Sequence, residues 1–230
     1  MAKKKTPSVV TPRAAAVWPK LVQPDEFKGE KSYKVGLLLD PQDEAHAKFI
    51  QHVEEAGQAA YDEWKQEAEE EATNAKGAAK AKAKKALEAV AMFTPLSPEY
   101  DDEGEETGRL ILNVKMKAEG VNPKTSKTWK RRCPIFDSAG KELTGQSGLS
   151  IWGGSILKAE VTLNPFAMPA TEKAGVSGRL EAIQIVELAT GNAGGKFGVE
   201  EDGYVAEETT NRFDDDEDDD NGEDDDEEDF

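Results

Sequence analysis

Arg109-Leu110-Ile111-Leu112-Asn113-Val114-Lys115-Met116-Lys117-Ala118-Glu119 alternates with a period of two. Leu110, Leu112, Val114, Met116 and Ala118 fall on one face; Ile111, Asn113, Lys115 and Lys117 fall on the other. That pattern is a strand with one face in a core and one in solvent. Similar runs flank it. Ala15–Pro24 (AAVWPKLVQP) is short and interrupted by Pro19, which suits an edge or a bulge. Ser32–Leu39 reads as a strand stopped by Asp40-Pro41. After a turn at Val121–Ser126, a strand is expected over Lys127–Phe136, followed by a turn at Asp137–Gly140. Ile156–Leu163 alternates until Asn164-Pro165, and Arg179–Leu188 is the last clear strand. About five to seven strands without regular strand–helix alternation predict a mainly β protein, a small closed or partly open barrel.

One helical insertion interrupts the strands, over about 43–91. From Asp43 to about Ala72, Phe49, Val53, Ala56, Ala60 and Trp64 recur at helical spacing, with Ile50 and Tyr61 widening the stripe. Asp40 or Asp43 is the candidate cap. Thr73-Asn74 marks a break before the Ala/Lys-rich stretch Ala75–Ala91, whose composition favours a second helix, paired antiparallel with the first. Pro95–Thr107, with Pro98, Gly104 and six acids, reads as a solvated loop. Residues 1–14 read as a flexible basic arm: no apolar stretch follows the lysines, as a signal peptide requires. No run of about 18 apolar residues offers a membrane span. The single cysteine, Cys133, excludes an internal disulfide and is compatible with a reducing compartment.

The net charge of −18 is unevenly placed. Asp214–Phe230 (DDDEDDDNGEDDDEEDF) holds fourteen carboxylates, no base and one terminal aromatic. Thr107–Phe197 holds thirteen bases against seven acids. A basic module followed by an acidic leash is an electrostatic pair. The tail's composition predicts disorder, since it cannot bury enough apolar surface to offset its chain entropy. Residues 191–213 read as a linker. A ring at Phe230 beside Asp229 and Glu228 suits docking: the ring fills an apolar pocket while the carboxylates meet a basic rim. Such a tail also mimics a nucleic-acid backbone and competes for a protein's own basic groove.

Catalytic constellations are thin, and the reading is not an enzyme. His46 and His52 lie six apart on the expected helix, off same-face spacing. With one cysteine besides, no usual zinc site can be composed. Thr190–Phe197 resembles a phosphate loop only in composition, lacking the first glycine and the Ser/Thr after Lys196. Glu217, Asp219, Asn221, Gly222 and Glu228 fall at calcium-loop spacing, but Glu217 is the wrong first ligand and no amphipathic helices flank it. No cofactor or metal is therefore expected. A nuclease would need convergent core carboxylates that the sequence does not offer.

The positive signal is rings interleaved with bases on expected strands. Trp129-Lys130-Arg131-Arg132 stands beside Phe136, with Lys115 and Lys117 on a neighbouring strand and Trp152 after a Gly/Ser-rich stretch. Binders of single strands combine a cationic groove with stacking rings, each stack worth about 1–3 kcal/mol. Core packing is the competing reading for any one ring. Three consecutive bases beside a ring are hard to explain as packing, so the cluster as a group points to nucleic acid.

Together these features resemble the phage-type single-stranded DNA-binding proteins with an OB-fold. The resemblance rests on Val17-Trp18-Pro19-Lys20-Leu21, on Tyr33–Asp40 followed by a helix, and on Ile151-Trp152-Gly153-Gly154-Ser155 leading into a strand. It rests also on Lys173–Ser177 leading to Leu180–Glu187, and on the acidic tail ending in an aromatic. It implies an OB-fold-like Greek-key barrel over 15–190 and sequence-independent binding of single-stranded DNA in phage replication, recombination and repair, in the host-cell cytoplasm. Lys115, Lys117, Trp129, Lys130, Arg131, Arg132, Phe136 and Trp152 are then the expected DNA contacts. The tail, through Phe230, Asp229 and Glu228, would recruit replication proteins such as a polymerase or helicase. An acidic-tailed chaperone or DNA mimic without a strand-binding groove is the alternative, and oligomeric state stays open.

Overall fold

The computed structural model describes residues 7–144 and 148–189. In chain order the strands are β1 (Ser8–Val10), β2 (Ala14–Phe27), β3 (Glu30–Leu39), β4 (Ala91–Phe93), β5 (Leu96–Tyr100) and β6 (Glu106–Lys117). They continue as β7 (Glu119–Val121), β8 (Thr128–Lys130), β9 (Ile135–Phe136), β10 (Ile156–Met168) and β11 (Lys173–Glu187). Helices α1 (Glu44–Asn74) and α2 (Ala78–Ala89) lie between β3 and β4.

Five strands close on themselves. β2 pairs with β3, β3 with β6, β6 with β11, β11 with β10, and β10 returns to β2. All these pairings are antiparallel except β6–β11. The spatial order of the five is first, second, third, fifth, fourth, the Greek-key closure of an OB-like barrel. The alternation of the sequence produces the core directly: Leu37, Leu39, Leu112, Leu157, Val161 and Ile183 are fully buried, and α1 adds Phe49, Ile50 and Val53. Asp43 caps α1, its carboxylate accepting from the backbone of Ala45 and His46. Gly57, outside the expected stripe, lets α1 approach the barrel, where a Cβ would meet the Thr94 methyl at 2.6 Å.

Several expectations are corrected. Residues 95–107 are not all loop: β5 pairs along the start of β6, and Asp101 tightens the turn by accepting from the backbone of Glu103 and Glu105. The 1–14 arm ends earlier than expected, because Ser8–Val10 pairs with Glu160–Thr162 and Thr11 is buried, exchanging hydrogen bonds with Ala159. Lys127–Phe136 is two short strands, since Pro134 lacks the N–H needed to carry a ladder through. Asn164-Pro165 does not end β10, which runs on to Met168 against β11. Beyond Thr162 no described strand pairs with the other edge of β10, so Pro165 forfeits no ladder bond there. Ala15–Pro24 belongs to a 14-residue strand whose register breaks between Val17 and Lys20, which is the bulge that Pro19 suggested.

Gly175 has φ +146, and a Cβ there would land on the carbonyl of Phe93, across the parallel β4–β11 pairing. Gly175→Ala is expected to lower unfolding free energy by about 2–4 kcal/mol, measured by urea denaturation. An unchanged midpoint would contradict this seat for β4.

Candidate nucleic-acid interface

Register builds the site. Lys20 stands opposite Lys34, Lys34 opposite Lys115, and Lys115 opposite Arg179. Four adjacent barrel strands thus carry one base each in a single cross-strand row. All four are exposed, while Leu21, Tyr33, Val35, Val114, Met116 and Leu180 beside them are buried, so the row lies on the outer face. At about 4.8 Å per strand it spans roughly 15 Å. Asp25 pairs with Lys34 at 2.6 Å and Glu181 with Arg179 at 2.6 Å, whereas Lys20 and Lys115 lie within 4 Å of no described carboxylate. Burial pushes the Glu181 carboxyl up, but hydrogen bonds from Arg179 and Thr162 outweigh it and hold the group below its ordinary value. One step along, Lys117 opposes Ser32, and its hydrogen bond holds the Glu30 carboxyl below the usual range.

The chain leaves β6 into the β7–β8 hairpin. Gly120 faces Trp129 there, and a Cβ on Gly120 would stand 2.6 Å from the indole, so the ring lies directly on the glycine. The Arg131 guanidinium stands 5.2 Å from the ring centroid and donates through Nε to the Lys117 carbonyl at 2.6 Å. These contacts orient Trp129 yet leave it 37% exposed. Lys130 and Arg132 point into solvent. A cleft of about 500 Å³ opens beside the hairpin, lined in part by Pro24, Lys31, Tyr33, Lys130, Arg131 and Arg132. Cys133, behind it, is buried, and burial pushes its thiol up to about 12, leaving it protonated at neutral pH.

At the Lys20 end of the row, the loop holding Trp152 is tied to β2. Gly154 N–H donates to the Ala16 carbonyl, and Ala16 N–H donates to Ser155, each at 2.8 Å. Two residues past Ala16 comes Trp18, 81% exposed with φ +43, a left-handed conformation that a tryptophan rarely adopts. Trp152 is 57% exposed. Two open indoles therefore flank one pair of backbone hydrogen bonds, next to Lys20.

The family described as the single-stranded DNA-binding protein of bacteriophage T7 matches residues 9–188. The chain belongs to this family. It is 30% identical to the single-stranded DNA-binding protein of Escherichia phage T7 over 181 residues, 76% of this chain and 71% of that protein. It is 33% identical to the single-stranded DNA-binding protein of Enterobacteria phage T3 over 124 residues, half of this chain and 52% of the phage T3 protein. The crystal structure of gp2.5, the single-stranded DNA-binding protein encoded by phage T7, superposes with a TM-score of 0.65 at 24% identity, over 88% of this chain and all of that one. That likeness shows the shared fold.

Of the residues expected from sequence, this member of the phage family brings Lys115 into the row and Lys117 beside it, with Trp129, Lys130, Arg131 and Arg132 on the adjoining hairpin. Arg131 is engaged by Trp129 and the Lys117 carbonyl. Phe136 is not beside Trp129. Seven residue steps of extended chain separate them, and Phe136 lies half-buried on β9 against Gln184. Trp152 sits by the Lys20 end of the row. Lys20, Lys34, Arg179 and Trp18 were not among the expected contacts: the three bases are isolated in sequence and gathered only by register, while Trp18-Pro19-Lys20 entered only as a bulge and as part of the family resemblance. Phe230, Asp229, Glu228 and the acidic tail lie outside the described residues, as does the phosphate-loop-like stretch 190–197. No described helix is long and apolar enough to cross a membrane.

Replacing Lys130 and Arg132 with alanine is expected to reduce the salt dependence of oligo-dT binding by about one to two units of slope, as fewer counterions are released. An unchanged slope places both off the strand's path. Trp129→Ala is expected to weaken binding about tenfold without changing the melting temperature. Loss of folding instead would assign that ring to packing.

Proposed function

We propose that this chain, a single-stranded DNA-binding protein of the phage family, lays the strand across the outer face of β3 and β6. The observation that carries this reading is the in-register row Lys20–Lys34–Lys115–Arg179. Four bases at sheet spacing offer phosphates a track without reading sequence. Exposed rings on both sides of the row, Trp18 and Trp152 by Lys20 and Trp129 on the hairpin that continues β6, offer stacking faces that any base fits. Lysine neutralises phosphate as a point charge, and the one arginine of the row is held by Glu181 rather than presented as a free fork. The reading is therefore sequence-tolerant binding, with no catalytic step.

The sequence supports two finer proposals. The fourteen carboxylates of Asp214–Phe230 compete with DNA for the basic face, and Phe230 with Asp229 and Glu228 recruits replication proteins such as a polymerase or helicase. The setting for both is phage replication and recombination in the host-cell cytoplasm. The chaperone or DNA-mimic alternative is disfavoured by the row, which a protein working only through its tail has no use for. Competition between oligo-dT and duplex of equal length tests the central reading. Single-stranded DNA is expected to bind far better, because stacking needs exposed base faces. Equal affinity for both at one salt concentration would reject it.

A further inference from the structure

Helix α2 buries none of its side chains fully, and its surface is mostly of one sign, with a single acid, Glu88, in the last turn. Lys76 precedes the helix, which carries Lys80, Lys82, Lys84 and Lys85 against that one acid. Ala83, Ala86 and Leu87 are half-buried, while all five lysines are exposed. A purely solvating face would serve equally well with both signs. Elsewhere Lys31, Lys34, Lys48, Lys117 and Lys130 each stand within 4 Å of a carboxylate, but none of the five does among the described residues. The nearby glutamates Glu67, Glu70 and Glu71 line the crevice between the helices instead.

Placement sets the helical insertion apart from the hairpin part of the barrel site. α1 meets the barrel where Gly57 approaches Thr94 and Val176. Since Arg179 is level with Lys115 in a parallel pairing, Val176 is level with about Leu112. The β7–β8 hairpin leaves β6 seven or eight residues further on, roughly 20–25 Å along the strand direction.

Resting on the reading of the barrel as a single-strand site, we propose that the lysine face of α2 is a second phosphate-binding surface, which takes the backbone of the same DNA strand where it runs past the barrel. A strand already held on β3 and β6 reaches α2 at high effective concentration, so weak point-charge contacts suffice. No ring is exposed on α2, so this surface adds charge contacts and no stacking.

The test is K80A/K82A/K84A/K85A in the full chain, with alanine chosen because it preserves helix propensity; far-UV circular dichroism checks the fold. Binding of dT6 and dT30 is titrated across salt. The variant is expected to lose at least tenfold affinity for dT30 at low salt, its salt slope falling by about two to three units, with dT6 affinity changed less than twofold. The all-arginine variant at the same positions restores dT30 binding. An unchanged dT30 slope overturns the proposal. So does an equal loss on dT6, which would place α2 within the barrel site. A loss that vanishes when Asp214–Phe230 is removed would assign the face to the acidic tail and overturn it too. Failure of the parent chain to bind dT6 or dT30 would instead reject the barrel reading.

Discussion

K20E/K115E is expected to lower affinity for oligo-dT by roughly a hundredfold at about 50 mM salt, with the salt slope falling by about one and a half units or more. The two positions are chosen because neither lysine has a carboxylate partner within 4 Å, so reversal strips charge from the row without releasing a buried or paired acid. Both are exposed, and the barrel beneath them packs through Leu21, Val114 and Met116, so melting temperature should move little. K65E on α1, a single reversal on an exposed residue away from the row, is the control against which K20E and K115E are each compared alone. The effect should shrink as salt rises, because a screened row attracts phosphate less. A loss that persists undiminished at high salt would mean the variant damages the fold rather than the track.

Deleting Asp214–Phe230 should act in the opposite direction. With fourteen negative charges removed, binding to single-stranded DNA is expected to tighten, by about tenfold or more at low salt and little at high salt. Seventeen extended residues reach roughly 55–60 Å, well beyond the dimensions of a barrel domain of this size. Phe230→Ala separates the tail's two proposed roles. It leaves every charge in place, so DNA affinity should barely change while capture of replication partners falls. A Phe230→Ala chain that binds its partners like the parent would make the terminal ring incidental and leave the tail an electrostatic shield.

The barrel was legible because its strands announce themselves locally. The alternation of Leu110–Ala118 and of Leu157–Leu163 is a one-dimensional property, and the buried faces follow from it. The helix was equally legible from its apolar stripe and Asp43. What escaped was pairing. Residues 95–100 contain both Pro95 and Pro98 and only two apolar-or-aromatic side chains, Leu96 and Tyr100, so nothing local marks them as a strand; β5 exists because the edge of β6 offers it a ladder. The site shows the same divide. Trp129–Arg132 is contiguous and so stands out as a cluster in the sequence, whereas Lys20, Lys34 and Arg179 are scattered over 160 residues and become a row only through three registers. Phe136 stands away from Trp129 because seven residue steps of extended chain, about 23 Å, lie between them.

The claim that DNA crosses the outer face of β3 and β6, between the two tryptophan ends, is tested most directly by photocrosslinking. Oligo-dT carrying 5-iododeoxyuridine is bound to the full chain, irradiated, and the adducts are mapped by mass spectrometry. Adducts are expected in the peptides containing Trp18, Trp129 and Trp152, and lost when the complex is dissociated by salt. Adducts confined to α1, β9 or β4, with those three tryptophans unmodified, would contradict the path.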